Sequence, residues 1–318
     1  MAHVGSLHSD VADGVTKTLA GMVAHLPSHG IDTEVWEFVS DATAIEEARI
    51  EGVSVWRIPE LSRKRLPLVS PTKSKIFRAH AQRREVDLLH LHSVFRVPNI
   101  WAAQSGLPYV LTPNGGYSPG VLQGRRRWLK RIWIKAFEQR LWSRARFIHA
   151  VSEGEAAELA RLPGMPPIVV VANGVNSDLT DKPAIARTKG SWLFVGRLSI
   201  KQKGLDLLLR AYATAKLSCP VPALRIIGPD FRGEEKRLRA LASDLDLSTN
   251  VVFAGPLFGE EKRRAIEAAA LLIQPSRWEG MPFSVLEAMA VGTPVVVSGG
   301  TNLASSVAGG NAGWTCDS

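Results

Sequence analysis

The 318-residue chain is poor in several things that would settle its class at once. It has two cysteines, Cys219 and Cys316, with no C-x-x-C spacing, too few for a disulfide framework. A reducing, cytoplasmic setting is therefore expected. No charged segment followed by an apolar stretch opens the chain, and no apolar run reaches about 18 residues, which argues against a signal peptide and a membrane-spanning helix. A Walker loop and a G-x-G-x-x-G loop are both missing. The one D-x-D, Asp244-Leu245-Asp246, falls in an amphipathic pattern and reads as a solvated face rather than a metal pair. Acidic residues are scarce over one stretch. Between Leu61 and Arg146 stand 18 Lys/Arg against 3 Asp/Glu, a local +15, while the remainder has 21 against 27, or −6, which together give the net +9. That basic belt should attract anions or an anionic surface.

What is present is ordinary globular composition, 45% hydrophobic and 22% charged, which excludes a disordered chain. Short β-rich runs alternate with helical patterns. "TEVWEFV", "VSVWRI", "VDLLHLH", "LPYVLT", "RFIHAVS" and "PIVVVANG" read as strands of the first half, and "SWLFVG", "ALRIIG", "NVVFAG", "LLIQPS" and "TPVVVSG" as strands of the second. Strands apolar on both faces, separated by amphipathic helices, imply parallel sheets covered by helices. The polar stretch from Asn176 to Gly190 interrupts the alternation and reads as a linker. Two doubly wound α/β domains are expected, 1–178 and 191–318, joined by 179–190. Ligands of such sheets bind at the carboxyl ends of strands, so two facing domains would form a cleft.

Two stretches carry chemistry. In "SRWEGMPFSVLEAMAVGTPVV" (Ser276–Val296), Glu279 and Glu287 flank Gly280-Met281-Pro282 and the start of a helix near Phe283 or Ser284. Eight residues of helix span roughly 12 Å, close to the separation of sugar and ribose in a nucleotide-sugar. Between the carboxylates, the N–H groups of the helix N-terminus offer a diphosphate site. Read by themselves, the two residues are equally a surface loop glutamate and one that favours the helix dipole. In "FVGRLSIKQKGLDLLLRAY", Gly196 permits a tight turn after a strand, and Arg197 and Lys203 flank the next helix start. A planar fork and a point charge at a strand's carboxyl end suit a diphosphate. A solvated basic turn is the alternative.

The two stretches together, in the order G-R-L…K-G and then E-G-M-P-F-S-V-L-E-A-M-A-V-G-T-P-V-V, resemble the retaining glycosyltransferases of family 4, the group 1 glycosyl transferases of GT-B fold. The likeness extends upstream through "DLLHLHSVF", "LPYVLTPNGGYSPG", "RARFIHAVSEGE" and "VVVANGVNSD" and covers nearly the whole chain. The resemblance implies two Rossmann-like domains around a cleft, a nucleoside diphosphate sugar (UDP or GDP) as co-substrate and no required metal or other cofactor. It implies Arg197 and Lys203 at the diphosphate, Glu279 at the donor sugar, Glu287 at the ribose, and main-chain groups of Gly280, Met281, Pro282 and Phe283 along the donor. It also implies Gly14 near the donor phosphates, although the family's glycine pair is Asp13-Gly14 here. Where many members carry a histidine this chain has Asn114, which can bond a hydroxyl but cannot act as a general base. His90 and His92 share a strand face; a metal pair would need further ligands, His92 is an acceptor candidate and His90 a core residue. Both ends read as clipped, so a truncated member is expected.

In "RRRWLKRIWIKAF", helical spacing puts Arg127, Lys130, Arg131 and Lys135 on one arc, and Trp128, Leu129, Ile132, Trp133 and Phe137 on the other. Such a helix either lies on an anionic leaflet or buries its aromatic side in the domain. The expectation is a glycosyltransferase, peripheral at the inner face of the cell membrane, that extends a glycan or lipid-linked acceptor in cell-surface polysaccharide biosynthesis. The rivals are a sugar-nucleotide epimerase of the same architecture, a donor-binding fragment without activity, and a nucleic-acid binder. No nucleic-acid-reading module supports the last.

Overall fold

The computed structural model describes residues 1–7, 14–40, 42–59, 71–124, 126–175, 179 and 190–317. Asp13, residues 61–70 of the basic belt, Arg125 and the 176–190 stretch apart from Leu179 and Gly190 lie outside them. The chain divides into two compact units, Met1–Ala172 and Asn173–Ser318.

The first unit runs β1 (Ala2–Val4), α1 (Gly14–His25), β2 (Glu34–Val39), β3 (Glu46–Ile50), β4 (Val53–Pro59), α2 (Pro71–Arg83) and β5 (Leu89–His92). It continues through α3 (Val97–Ala103), β6 (Tyr109–Thr112), α4 (Pro119–Leu122), α5 (Arg127–Trp133), a π-helical turn (Ile134–Glu138) and α6 (Gln139–Ser143). β7 (Ile148–Ala150), α7 (Glu153–Leu159) and β8 (Ile168–Val170) complete it. The sheet order is β3-β4-β2-β1-β5-β6-β7-β8, parallel except for the β3–β4 pair. Period-two alternation sorts its central strands. Ala2, Val4, Leu89, Leu91, Leu111, Ile148 and Ala150 enter one apolar core, while His3, His90, His92, Thr112 and His149, at the intervening positions, are buried too.

The second unit contains β9 (Trp192–Val195), α8 (Ile200–Lys203), α9 (Leu205–Ser218), β10 (Leu224–Ile227), α10 (Glu234–Asp244) and β11 (Val251–Phe253). After these come α11 (Gly259–Glu267), β12 (Leu271–Gln274), α12 (Phe283–Ala290), β13 (Val295–Ser298), α13 (Ala304–Gly309) and β14 (Gly313–Cys316). The order is β11-β10-β9-β12-β13-β14, with every pair parallel. Parallel pairing needs a crossover after each strand, so the loops leaving β9, β10, β12 and β13 gather at one carboxyl edge.

The expected α/β class with mainly parallel sheets is what the chain forms, and β3 is a strand that the apolar runs did not announce. β3, sequence EEARI, is largely exposed and pairs with β4 through a tight turn at Glu51 and Gly52, both at positive φ. Its charges suit an edge strand and hide the β signal. Asp244 and Asp246 are exposed, as expected, at the end of α10. Both cysteines are exposed. Among the described residues no helix is long and apolar enough to cross a membrane.

Candidate functional site

In the second unit, three loops bring the predicted residues to the carboxyl edge. Gly228, after β10, approaches the backbone after β9 so closely that a Cβ there would lie 1.9 Å from the Gly196 carbonyl oxygen. Arg197 follows. Its guanidinium lies over the Phe231 ring, 4.5 Å from the centroid, and one terminal nitrogen donates to Gln202 Oε1 at 3.2 Å. Its Nε is buried and has no partner among the described residues. A buried donor without an acceptor is expensive, about 1–3 kcal/mol.

The single turn of α8 ends at Gly204, in the left-handed conformation at φ +65. A Cβ there would sit 2.0 Å from the Pro275 carbonyl oxygen, so glycine lets the loop after β12 lie against the helix start. This contact places Lys203 Nζ 2.5 Å from Glu279 Oε1, with both side chains mostly buried. The same carboxylate oxygen accepts from Ser276 Oγ at 2.8 Å. Ser276 in turn accepts from Gln274 Nε2 at 2.9 Å, and Ser284 Oγ donates to Gln274 Oε1 at 3.3 Å. Asn302, in the loop after β13, donates to the Glu279 and Gly280 carbonyls at 2.7 and 3.3 Å. Arg277 ties the loop down: its guanidinium forks onto the Asp206 carboxylate with two contacts of 2.8 Å, and its backbone N–H reaches the Gln202 carbonyl. That fork holds the Asp206 carboxyl below its usual range.

Helix α12 starts at Phe283, as expected, with Pro282 at its cap and no side chain capping it. Met281 packs on the apolar core of this unit, and Gly280 and Phe283 are half-buried. Glu287 is the fifth helical residue, just past the first turn, and faces α11, where Lys262 Nζ lies 2.7 Å from its Oε1. Each glutamate singled out from the sequence thus meets a lysine. Lys203 was singled out from the sequence as a diphosphate residue, not as a partner of Glu279; Lys262, within "EEKRR", looks like a solvated helix face and gave no signal. Ser276, Gln274 and Asn302 were also missed, although a glutamine with no exposure at the end of a strand has to serve a neighbour.

In the first unit Gly14 opens α1 and is exposed. Beside it, Val15, Thr16, Gly5, Ser6, Ser93 and Arg96 line a pocket that His92 and Asn99 also reach. Asn114, at φ +53, donates to the Thr112 carbonyl at 3.3 Å. The next amide, of Gly115, donates to the buried Glu155, whose other oxygen accepts from Val151 N–H. Burial pushes the Glu155 carboxyl up.

The histidine pair gains a third member. His3 Nδ1 lies 3.0 Å from His92 Nε2, and His90 Nε2 meets Thr112 Oγ1 at 2.6 Å. Thr112 also meets His149 Nδ1 at 2.9 Å. Ring nitrogens of His3, His90 and His92 fall within 4.8 Å of one another, a spacing that a metal ion could use. Yet each ring already has a hydrogen-bond partner, and desolvation holds all three imidazoles neutral, well below their usual pKa. They form a stacked polar layer, with His90 and His92 centroids 4.2 Å apart.

Comparison with known proteins follows the same division. A family model described as Glycosyltransferase Family 4 matches residues 12–179, and one described as Glycosyl transferases group 1 matches residues 176–318. A D-inositol 3-phosphate glycosyltransferase of Acidothermus cellulolyticus is 28% identical over 96% of this chain and 75% of its own length. Other relatives of that description match over 30% of their length. Among solved structures, sucrose-phosphate synthase from Thermosynechococcus elongatus superposes with TM-score 0.81 at 19% identity, covering 99% of this chain and 85% of that one. Anabaena HepE in complex with UDP and glucose gives TM-score 0.72 at 19% identity, with the same coverages. The fold is that of the GT-B enzymes.

Proposed function

The chain belongs to glycosyltransferase family 4, and from that premise we propose that it moves a sugar from a nucleoside diphosphate sugar to a hydroxyl of a glycan or lipid-linked acceptor, with retention at the anomeric carbon. The observation that carries the reading is the Lys203–Glu279 pair on the same edge as Arg197, whose buried Nε has no partner among the described residues. Arg197 and Lys203 hold the diphosphate, Glu279 the sugar hydroxyls, and Glu287 the ribose diol. Backbone groups of Gly280, Met281, Pro282 and Phe283 line the donor. In the first unit Gly14 is the candidate for donor phosphates, and His92 and Asn114 are the candidates for the acceptor.

In the reaction the bond between the anomeric carbon and the diphosphate oxygen breaks, and the acceptor oxygen bonds that carbon from the same face. The acceptor proton passes to the departing phosphate oxygen, so no protein nucleophile is needed. Negative charge grows on the leaving group, where two fixed cations and an uncapped helix N-terminus stabilise it without reorganisation. These groups supply the electrostatics that a metal ion would otherwise provide. UDP and GDP sugars are the favoured donors, and the UDP bound by HepE supports the first. The setting is the cytoplasmic face of a membrane where cell-surface polysaccharide is built, reached through the basic region 61–146; nucleic acid is not a partner.

Thermal shifts with UDP, GDP and ADP test this directly, on wild type and on Arg197→Ala. Ligand at a hundred times its dissociation constant adds about 2.7 kcal/mol. One nucleotide should stabilise wild type and lose its effect in the variant. No shift with any nucleotide would sink the reading, and sugar-nucleotide turnover without acceptor would replace it with the epimerase.

A further inference from the structure

The pocket beside Gly14 is lined by first-unit residues. Its volume of about 80 Å³ holds one small polar group, a single water needing about 10–15 Å³. His92 forms part of the wall, is 3% exposed, and has a buried Nδ1 with no partner among the described residues. Its Nε2 meets His3 Nδ1 at 3.0 Å. In the tautomer where His3 donates, the neutral His92 ring carries its proton on Nδ1, a donor in need of an acceptor. Arg96 also lines the pocket, is exposed, and pairs with no carboxylate among the described residues. The loop that presents these two residues is held under strain. Ser93 and Phe95 adopt positive φ, +66 and +58, without being glycine. Asn99 Nδ2 donates to the His92 and Ser93 carbonyls at 3.3 and 3.0 Å, and the buried Glu138 accepts from Phe95 N–H at 2.9 Å. Such strain persists only where the surroundings enforce it, and it gathers at ligand sites. Val15 and Thr16 of the first turn of α1 add another wall, which puts the positive end of the helix dipole beside the pocket. Among the described residues no carboxylate lines it.

We infer that this pocket holds a phosphate monoester carried by the acceptor, with Arg96 and the His92 Nδ1–H as its donors. Donors at the end of β5, on the loop after it and at a helix start approach from more than two directions. That suits the three terminal oxygens of a phosphate better than the two of a carboxylate. A neutral hydroxyl would leave the Arg96 charge and the helix dipole without a counter-charge. The donor diphosphate has Arg197 and Lys203 of the second unit, and Gly14 offers it backbone alone. Arg96 is then a specificity-determining residue that selects phosphorylated over neutral acceptors. The inference rests on the functional reading only for calling the bearer of the phosphate the acceptor; the anion site itself does not.

An NMR titration that follows the His92 imidazole tests it, with glycerol 3-phosphate, inorganic phosphate, acetate and glycerol as probes at constant pH and ionic strength. Glycerol 3-phosphate should shift the resonance saturably and bind at least as tightly as inorganic phosphate. Acetate and glycerol should leave it in place. Arg96→Gln should bind glycerol 3-phosphate about tenfold more weakly, and its melting at the wild-type temperature shows that it is folded. Saturating UDP should not weaken the binding. No response to either phosphate would overturn the inference, and so would undiminished binding by the Arg96→Gln variant. An equal response to acetate or glycerol, or tighter binding of inorganic phosphate than of its ester, would also overturn it. Displacement by UDP would do the same, because the pocket would then belong to the donor. A missing UDP thermal shift with intact glycerol 3-phosphate binding would count against the functional reading alone.

Discussion

Gly204 shows how one side chain's absence organises a site. With no Cβ it takes φ +65 and lets the Pro275 carbonyl rest against it, and through that contact Lys203 reaches Glu279. Gly204→Ala places a methyl 2.0 Å from that oxygen at a φ that L residues seldom adopt. The expected loss is about 1–3 kcal/mol, read by urea denaturation, with a larger fall in nucleotide affinity than in stability because the loop carrying Glu279 must move; unchanged affinity would show that the contact does not position the pair. At this scale Arg197, Lys203, Glu279 and Glu287 were singled out through the family resemblance of the two stretches together, since either stretch alone reads as readily as a bare turn. Their partners were not. Glu279 lies 76 residues from Lys203 and Glu287 lies 25 from Lys262, separations that only the sheet order resolves. Asn302, which holds the main chain of the glutamate loop, sits in a polar loop that looks like any other.

At the level of elements, the segment from α5 to α6 departs from 3.6-residue periodicity. A π-helical turn admits one extra residue per turn, so positions after Ile134 rotate relative to those before it. That rotation brings Glu138 inside, where it accepts from Phe95 N–H at 2.9 Å, Trp133 Nε1 at 2.8 Å and the Tyr117 hydroxyl. Periodicity arguments could place the cations but not this glutamate, because they assume one constant pitch. Glu138→Ala would strand three buried donors and is expected to lower stability by about 3 kcal/mol or more. Glu138→Gln keeps an acceptor for the two N–H groups and should lose less than half as much; equal losses would refute the account. Burial raises the Glu138 carboxyl above its usual pKa, so its contribution is fully present below the unfolded value and fades as pH rises through the folded one. The glutamine variant should lack that slope.

Across the whole molecule, the parallel sheets were legible because strands buried on both faces read as continuous apolar runs, whereas β3 carries edge charges and gave no such run. Titratable groups are divided unevenly. All eight histidines precede residue 150, and burial lowers the pKa of His3, His90, His92 and His149. A histidine held neutral in the fold but free to protonate when unfolded adds stability above about pH 6.5 and loses it as pH falls, by about 1.4 kcal/mol per pH unit for each. Calorimetry from pH 7.5 to 5.5 should therefore show the first unit melting earlier while the second holds. A matched fall in both would mean the units unfold as one.

The same asymmetry has its mirror in the thiols, since Cys219 and Cys316 are exposed and both belong to the second unit. Imidazole resonances in a spectrum of this protein belong to one half of the chain, and a maleimide dye belongs to the other. The wild-type sequence thus carries two independent reporters, and the response of each half to nucleotide or vesicle can be followed without a single engineered label.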